Sequence, residues 1–325
     1  MFGGHLQYLF IEGADVTKIK NVVVTGVSTG IGLETTRLLV LNGYRVFGSV
    51  RKQTDADRLR KEMGDRYVPL IMDVTDADAI QRASEEVGAM LGSNRLAGLV
   101  NNAGIVVSGP LLHLRPSEFR RQLEANMIGP MMVTQAFAPL LGTDNNRTGP
   151  MGRIVNISST VAKVVPPLLG AYAASKWGFE GMSEALRREL MLFGIDLVII
   201  EPGAVNTALY DKGEKEDLSE FKSTPYWGAI ENFQKYVVKE GRRGLPPERL
   251  AKTVYEALTA AKPKTRYAVV PQRFKNWTVP RLLPTRMVDD AIAKQMGLNR
   301  SRVKANARGL NPGKSASVEG SAQEF

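Results

Sequence analysis

The chain has 325 residues, of which 43% are hydrophobic and 23% charged, values of a globular protein large enough to bury a substantial core. It has no cysteine and only two histidines, His5 and His113, which excludes disulfides and a thiolate nucleophile and argues against a His-based metal site or a Ser-His-Asp triad. A formal net charge of +10 can draw nucleic acid, anionic lipid or an anionic cofactor.

Residues 1–20 read as a short N-terminal extension. Its apolar run LQYLFI has neither a basic leader nor a cleavage site, so it is not read as a secretory signal. From Asn21 onward strand and helix patterns alternate. NVVVTG is an apolar, β-branched run closed by glycine, and GIGLETTRLLVLNG follows with helical spacing and a closing Gly43. YRVFGSV is a second strand, DADRLRKEMG a polar helix and YVPLIMDV a third strand. DADAIQRASEEVGAML is a helix opened by an aspartate able to cap it.

LAGLVNNAG is a fourth strand running into a loop. RPSEFRRQLEANMIGPMMVTQAFAPLL reads as one long helix in which Pro130 predicts a kink. GRIVNISS is a strand, residues 172–193 an amphipathic helix, IDLVIIEPG a sixth strand and RYAVV, 266–270, a seventh. This alternation predicts a single-domain, doubly wound α/β fold over 21–298: a parallel sheet of about seven strands with helices on both faces. Residues 207–246 interrupt it as a long irregular insertion after the sixth strand, at the edge where ligands bind, and read as a lid or substrate loop. Arg300, Arg302, Lys304, Arg308 and Lys314 fall in a Gly-, Ser-, Ala- and Asn-rich stretch, so 299–325 reads as a disordered basic tail. No run of about 18 apolar residues occurs, so no membrane-spanning helix is expected, and the localisation expected is cytoplasmic. The charge is not accompanied by a nucleic-acid-binding module, and no nucleic-acid partner is expected.

NVVVTGVSTGIG places glycines between the first strand and the first helix. Gly26, Gly30 and Gly32 let the backbone turn tightly and approach a pyrophosphate, and the helix N-terminus offers free N–H groups to it. The spacing is G-x-x-x-G-x-G rather than G-x-G-x-x-G. Tyr172 and Lys176 stand four residues apart, one helical turn, so their side chains share a face. Such a pair is either a surface contact or a tuned proton donor: a free phenol, with a pKa of about 10, is a poor base at neutral pH, and a nearby ammonium favours its ionised form.

TGVSTGIG, NNAG at 101–104, Ser159, Tyr172-x-x-x-Lys176 and PG at 202–203 occur in that order. Together they resemble the short-chain dehydrogenase/reductase family over about residues 20–270. The resemblance implies Tyr172 as the acid/base, Lys176 as the lysine that holds the ribose hydroxyls and favours the tyrosinate, and Ser159 as the serine that bonds the substrate oxygen. Ser159 lies thirteen residues before Tyr172 and is preferred to its neighbour Ser158. Asn126, in LEANMIG, is similar to the asparagine that supports a water-linked proton relay. The cofactor would lie against Gly26, Ser28, Gly30, Ile31 and Gly32. Asp73 with Val74 resembles the adenine contact, with Asp73 as a helix-capping acid the alternative. Asn101, Ala103 and Gly104 resemble the ribose loop, and Pro202, Gly203, Val205 and Thr207 the segment around the nicotinamide. An acid that binds the adenosine ribose would stand roughly 20 residues past the glycines. That stretch reads GSVRKQ, with Arg51 and Lys52 suited to a 2′-phosphate and Ser28 able to donate as well, so NADP(H) is favoured over NAD(H).

GSVRK, NNAGI, EPGAVNTAL and RLLPTRMVDDAIAKQMG make the chain most similar to the branch containing retinol and 17β-hydroxysteroid dehydrogenases. That implies a lipophilic alcohol or carbonyl substrate. Val106, Val107, Val164, Val165, Pro166, Leu168 and Leu169 either line its pocket or pack the core. RFKNWTVPRLLPTRM mixes aromatic and basic residues; a lid or subunit contact is favoured over a peripheral membrane contact, and its two prolines argue against one continuous helix. The resemblance also implies a homodimer or homotetramer built on the helices at 116–141 and 172–193. A non-catalytic dinucleotide sensor on the same fold is the alternative, but Asn126, Ser159, Tyr172 and Lys176 are all present.

Overall fold

A computed structural model describes residues 19–208 and 216–298, so the expectations for the N-terminal extension and the basic tail lie outside the described residues, apart from residues 19 and 20. Seven strands form one parallel sheet: β1 Asn21–Val24, β2 Arg45–Val50, β3 Tyr67–Ile71, β4 Gly98–Asn101, β5 Arg153–Ile157, β6 Asp196–Pro202 and β7 Arg266–Val269, in the order β3-β2-β1-β4-β5-β6-β7. The order reverses between β1 and β4, and a crevice at the carboxyl ends of those two strands is where such sheets bind ligands.

The central strands are largely apolar on both sides because both faces are covered. Val22 and Val24 of β1 pack on one face, with Leu39, Leu250 and Val254. Val23 packs on the other, with Val87, Val133 and Phe137. The first face carries helices α1 (Gly30–Leu41), α2 (Gln53–Met63) and, from late in the chain, Pro247–Thr259. The second carries α3 (Ala77–Leu91), α5 (Gly129–Ala138) and α6 (Gly170–Glu189), with α4 (Pro116–Leu123) packed on α6. Asp76 caps α3, its side chain accepting from the Ala79 N–H at 2.9 Å.

The expected long helix is interrupted just before Pro130. Proline supplies no N–H to the carbonyl of Asn126, four residues back, and the chain meets this with a π turn, Glu124–Ile128, between α4 and α5. α6 begins at Gly170, two residues before the predicted start, and passes into a 3₁₀ turn at Leu190–Phe193 that ends on Gly194 at φ 69°.

The insertion is more regular than its sequence suggests. Its described part holds a 17-residue helix, α7 (Trp227–Arg243), followed by α8 (Pro247–Thr259). α7 and the last described helix, α9 (Thr285–Met296), share a small core of their own with Leu168, Leu218, Phe221, Ile230, Phe233 and Met296. The basic-aromatic segment is broken at its second proline, as expected: a helical stretch from Phe274 to Leu282 stops before Pro284 and α9 follows. Trp277 is buried under Arg281, whose guanidinium lies 4.7 Å from the ring centroid, whereas Phe274 and Leu282 are exposed. No helix among the described residues is long and apolar enough to cross a membrane.

Candidate active site

The crevice is built at its β1 end from backbone. Gly26 and Gly30 sit at φ 70° and 63°, where only glycine is unstrained. A Cβ on Gly26 would lie 2.9 Å from Ala103 Cα, and one on Gly32 would lie 2.4 Å from both Asn102 Nδ2 and the Gly26 carbonyl oxygen. α1 starts at Gly30 with Thr29 as an N-cap that makes no side-chain capping bond and with no acid in the first turn. Its first N–H groups, those of Gly30, Ile31 and Gly32, therefore face the crevice without a competing anion. Thr207, from the segment after β6, stands over this turn, 3.2 Å from where a Gly30 Cβ would be. A glycine cradle, an uncapped helix N-terminus and a flanking hydroxyl fit a dinucleotide's pyrophosphate.

Four residues that hold this cradle escaped the sequence reading. Thr25 Oγ1 accepts from the Asn102 and Ala103 N–H groups at 2.9 and 3.0 Å. Asn102 Nδ2 donates to the carbonyls of Thr25 and Gly26, and Ser49 Oγ accepts from Gly26 N–H at 2.9 Å. Arg58 on α2 reaches back to the Ser28 carbonyl at 2.9 Å. Only the T before the first glycine and the second N of NNAG hinted at the first two. Asn101, expected in the ribose loop, is buried, and its amide donates into the core to Asn156 and Thr134. β4 alternates its faces, so of two adjacent asparagines one points inward and its neighbour meets the crevice.

At the end of β2 stand Arg51 and Lys52, both exposed, with Ser28 and Arg58 across the turn. Arg51 lies 3.7 Å from Asp73, whose other oxygen accepts from the Thr75 N–H and hydroxyl. Asp73 thus closes the turn before α3, while the cap itself is Asp76. Val74 is buried beside it. Gly104 lies across from Asn126, whose Oδ1 would be 3.1 Å from a Cβ there. Pro202 ends β6, Gly203 packs on Val270 and Pro271, and Val205 is buried in a bridge to Leu245.

The β5–α6 end is built from side chains. Tyr172 and Lys176 share the first turns of α6, with Lys176 Nζ 5.9 Å from the phenol ring centroid and 2.8 Å from the carbonyl oxygen of Ile157. Ser159 follows β5 in extended conformation, its Oγ accepting from Val161 N–H. Asn126, fully buried in the π turn, accepts from Ile105 N–H at 2.9 Å and donates to the Ile105 carbonyl and to Ser175 Oγ. Ser175 in turn donates to the Tyr172 carbonyl at 2.7 Å. One chain of bonds thus links Asn126 to the backbone of Tyr172.

Burial pushes the Tyr172 phenol above its ordinary value, and the Ser159 side chain acts the other way. Lys176, expected to favour the tyrosinate, has its ammonium bonded to the Ile157 carbonyl. Burial also lowers Lys176, to about 8, against the charge of Glu180. Ser158 is turned away from the crevice, donating to Glu180 at 2.7 Å, which leaves Ser159 as the serine near Tyr172.

The short chain dehydrogenase family profile matches residues 20–217. The chain belongs to that family. An NADPH-dependent 3-dehydrocapnine reductase of Ornithobacterium rhinotracheale is 37% identical over 86% of this chain and 98% of the relative. A bovine 17-beta-hydroxysteroid dehydrogenase type 6 is 34% identical over 77% and 80%, and mouse retinol dehydrogenase 16 is 31% identical over 83% and 86%. A crystal structure of a short-chain dehydrogenase from Streptomyces avermitilis superposes with a TM-score of 0.66, at 28% identity, over 90% of this chain and 99% of that one. The protein is therefore a short-chain dehydrogenase/reductase oxidoreductase, of a family that binds NAD(P), with a Rossmann-type sheet. Of the pocket candidates, Leu168 belongs to the insertion's core and Val107 is buried with its N–H on Gln122, whereas Val165 is exposed.

Proposed function

We propose that this dehydrogenase is an NADP(H)-dependent reductase of a carbonyl on a lipophilic small molecule. The carrying observation is that Ser159, Tyr172 and Lys176 gather at the β5–α6 end of the crevice, across from the glycine turn. A phenol is protonated at neutral pH, and its donation to a carbonyl oxygen is the reductive direction. In this reading Ser159 and the Tyr172 hydroxyl hold the carbonyl oxygen and stabilise its developing charge. Tyr172 gives up its proton at the phenolic oxygen. Lys176 binds the ribose side of the cofactor and adds a positive charge beside the tyrosinate as it forms. Asn126 fixes the Ile105 backbone and, through Ser175, the first turn of α6. The nicotinamide, when bound, supplies the hydride.

Arg51, Lys52 and Arg58, with no Asp or Glu at the end of β2, support a 2′-phosphate, as does the NADPH named for the Ornithobacterium relative. The hydroxysteroid and retinol in two relatives' names support a lipophilic substrate, and the word reductase in a third supports the direction. The described residues 216–246 act as a lid: their core packs on Leu168 and Leu169, and Glu216 accepts from Ser108 N–H. Exposed Met131 on α5 and Trp177 on α6 support a homo-oligomer through those helices. The test is titration of NADPH and NADH, followed by a screen of apolar ketones and aldehydes that includes 3-oxo lipids. Tighter NADPH binding with ketone reduction is expected. Preferred NADH would overturn the reading of Arg51, and binding without turnover across the panel would overturn the reductase.

A further inference from the structure

One turn beyond Lys176 on α6 lies Glu180, a carboxylate only 2% exposed that none of the steps above uses. Its Oε1 accepts from Ser158 Oγ at 2.7 Å. Its Oε2 accepts from Lys163 Nζ at 2.9 Å and from Arg266 Nη1, on β7, at 2.5 Å. Ser158 and Lys163 bracket Ser159 in sequence, and Ile157, just before them, receives Lys176. The stretch that carries Ser159 is thus tied at both ends to one buried carboxylate on the helix that carries Tyr172 and Lys176.

We propose that Glu180 is a positioning residue of the active site: through Ser158 and Lys163 it sets the place of Ser159 against Tyr172, and its charge serves Lys176. The inference rests on the reductase reading above.

The surroundings suit a fixed negative charge. Arg266 also bonds Glu201, wholly buried on β6, and Glu184, on α6 at 2.9 Å. Burial pushes Glu180 up as well, but the bonds from Lys163, Ser158 and Arg266 hold it below the ordinary carboxylate range. Glu201 is pushed up by burial and by Glu180 itself. The groups facing Lys176 are Tyr172, Phe179 and Glu180 on its own helix, the Ile157 carbonyl from β5, and the uncharged Gly104 from the loop after β4. Glu180 is the one carboxylate acting on that lysine among the described residues. A buried ammonium with one opposing charge depends on it to stay protonated.

The experiment compares Glu180→Gln, Glu180→Asp and Lys163→Met with the parent by steady-state kinetics across pH and by hydrogen exchange over 158–169. Glu180→Gln should lower kcat by about tenfold or more, because small misplacements of a reacting group cost that much, with little change in the KM for NADPH. It should also move the alkaline limb of kcat/KM to lower pH, since Lys176 loses its opposing charge. Glu180→Asp keeps the charge with a shorter reach and should restore the limb but not the full kcat. Lys163→Met should lower kcat and leave the limb in place. Amides 158–163 should exchange faster in both Glu180→Gln and Lys163→Met. Faster exchange with unchanged kcat and limb would reduce Glu180 to a structural role and overturn the proposal. Unchanged exchange would remove the clamp itself. If the parent turns over nothing with NADPH, the reductase reading fails, while exchange still decides the clamp.

Discussion

At the β1–α1 end of the crevice the functional atoms are backbone N–H groups, held by glycines and by the side chains of Thr25, Asn102 and Ser49. At the β5–α6 end they are side chains, Tyr172, Ser159 and Lys176, held by Asn126, Ser175 and a buried ion cluster. The two ends answer different chemical needs. A pyrophosphate is met by many weak, fixed dipoles, which a turn and a helix N-terminus provide without any particular side chain. A proton transfer needs one group of the right acidity at one place, and acidity is set by burial and neighbouring charge.

The comparison predicts that damage at the side-chain end strikes rate and damage at the backbone end strikes cofactor binding and stability. The largest effect is expected for Tyr172→Phe, which should lower kcat by about 10²–10⁴-fold and leave NADPH binding intact; fluorescence titration beside turnover checks both. A parallel loss of binding would erase the division between the ends. Next comes Arg51→Gln, which removes a charge-assisted partner for the 2′-phosphate and should weaken NADPH by about tenfold or more while sparing NADH. Equal loss for both cofactors would place Arg51 elsewhere on the dinucleotide.

Gly32→Ala inserts a methyl group 2.4 Å from the Gly26 carbonyl oxygen, a backbone atom that cannot step aside. The protein should lose about 1–3 kcal/mol in denaturant unfolding, part of it offset by alanine's better helix propensity, and should bind NADPH more weakly. A further effect is a pH slope. Lys176 titrates near 8 when folded and near 10.5 when unfolded, so between those values the unfolded chain holds a proton the folded lysine has released. That term makes stability rise with pH across this window. In Lys176→Met the rise should disappear, as measured by unfolding at the two ends of the window. A slope unchanged by the substitution would mean that Lys176 keeps an ordinary lysine's acidity.

Sequence reading served the two ends unequally. The glycine turn was visible because positive φ and close backbone approach demand glycine, and a demand on residue type is written in the sequence. Tyr172 and Lys176 were visible because a helix maps a four-residue spacing onto one face. The inward turn of Asn101 against the outward turn of Asn102 was not visible, since nothing local to NN says which face of β4 borders the crevice. The helix in the insertion was hidden by polar composition: its apolar partners, Leu168 and Met296, lie far away in the chain.

By itself the sequence determined the alternation of strands and helices, the parallel sheet, the phosphate turn and the tyrosine–lysine pair, all consequences of local periodicity and residue type. Only the tertiary structure decided that a π turn precedes Pro130, that Asn101 turns into the core, and that Glu180, Arg266 and Glu201 meet behind the site. Those three residues come from α6, β7 and β6, and a buried charge is tolerable only where its partners converge on it. That convergence is a property of the packed sheet, which brings distant stretches of chain to one point.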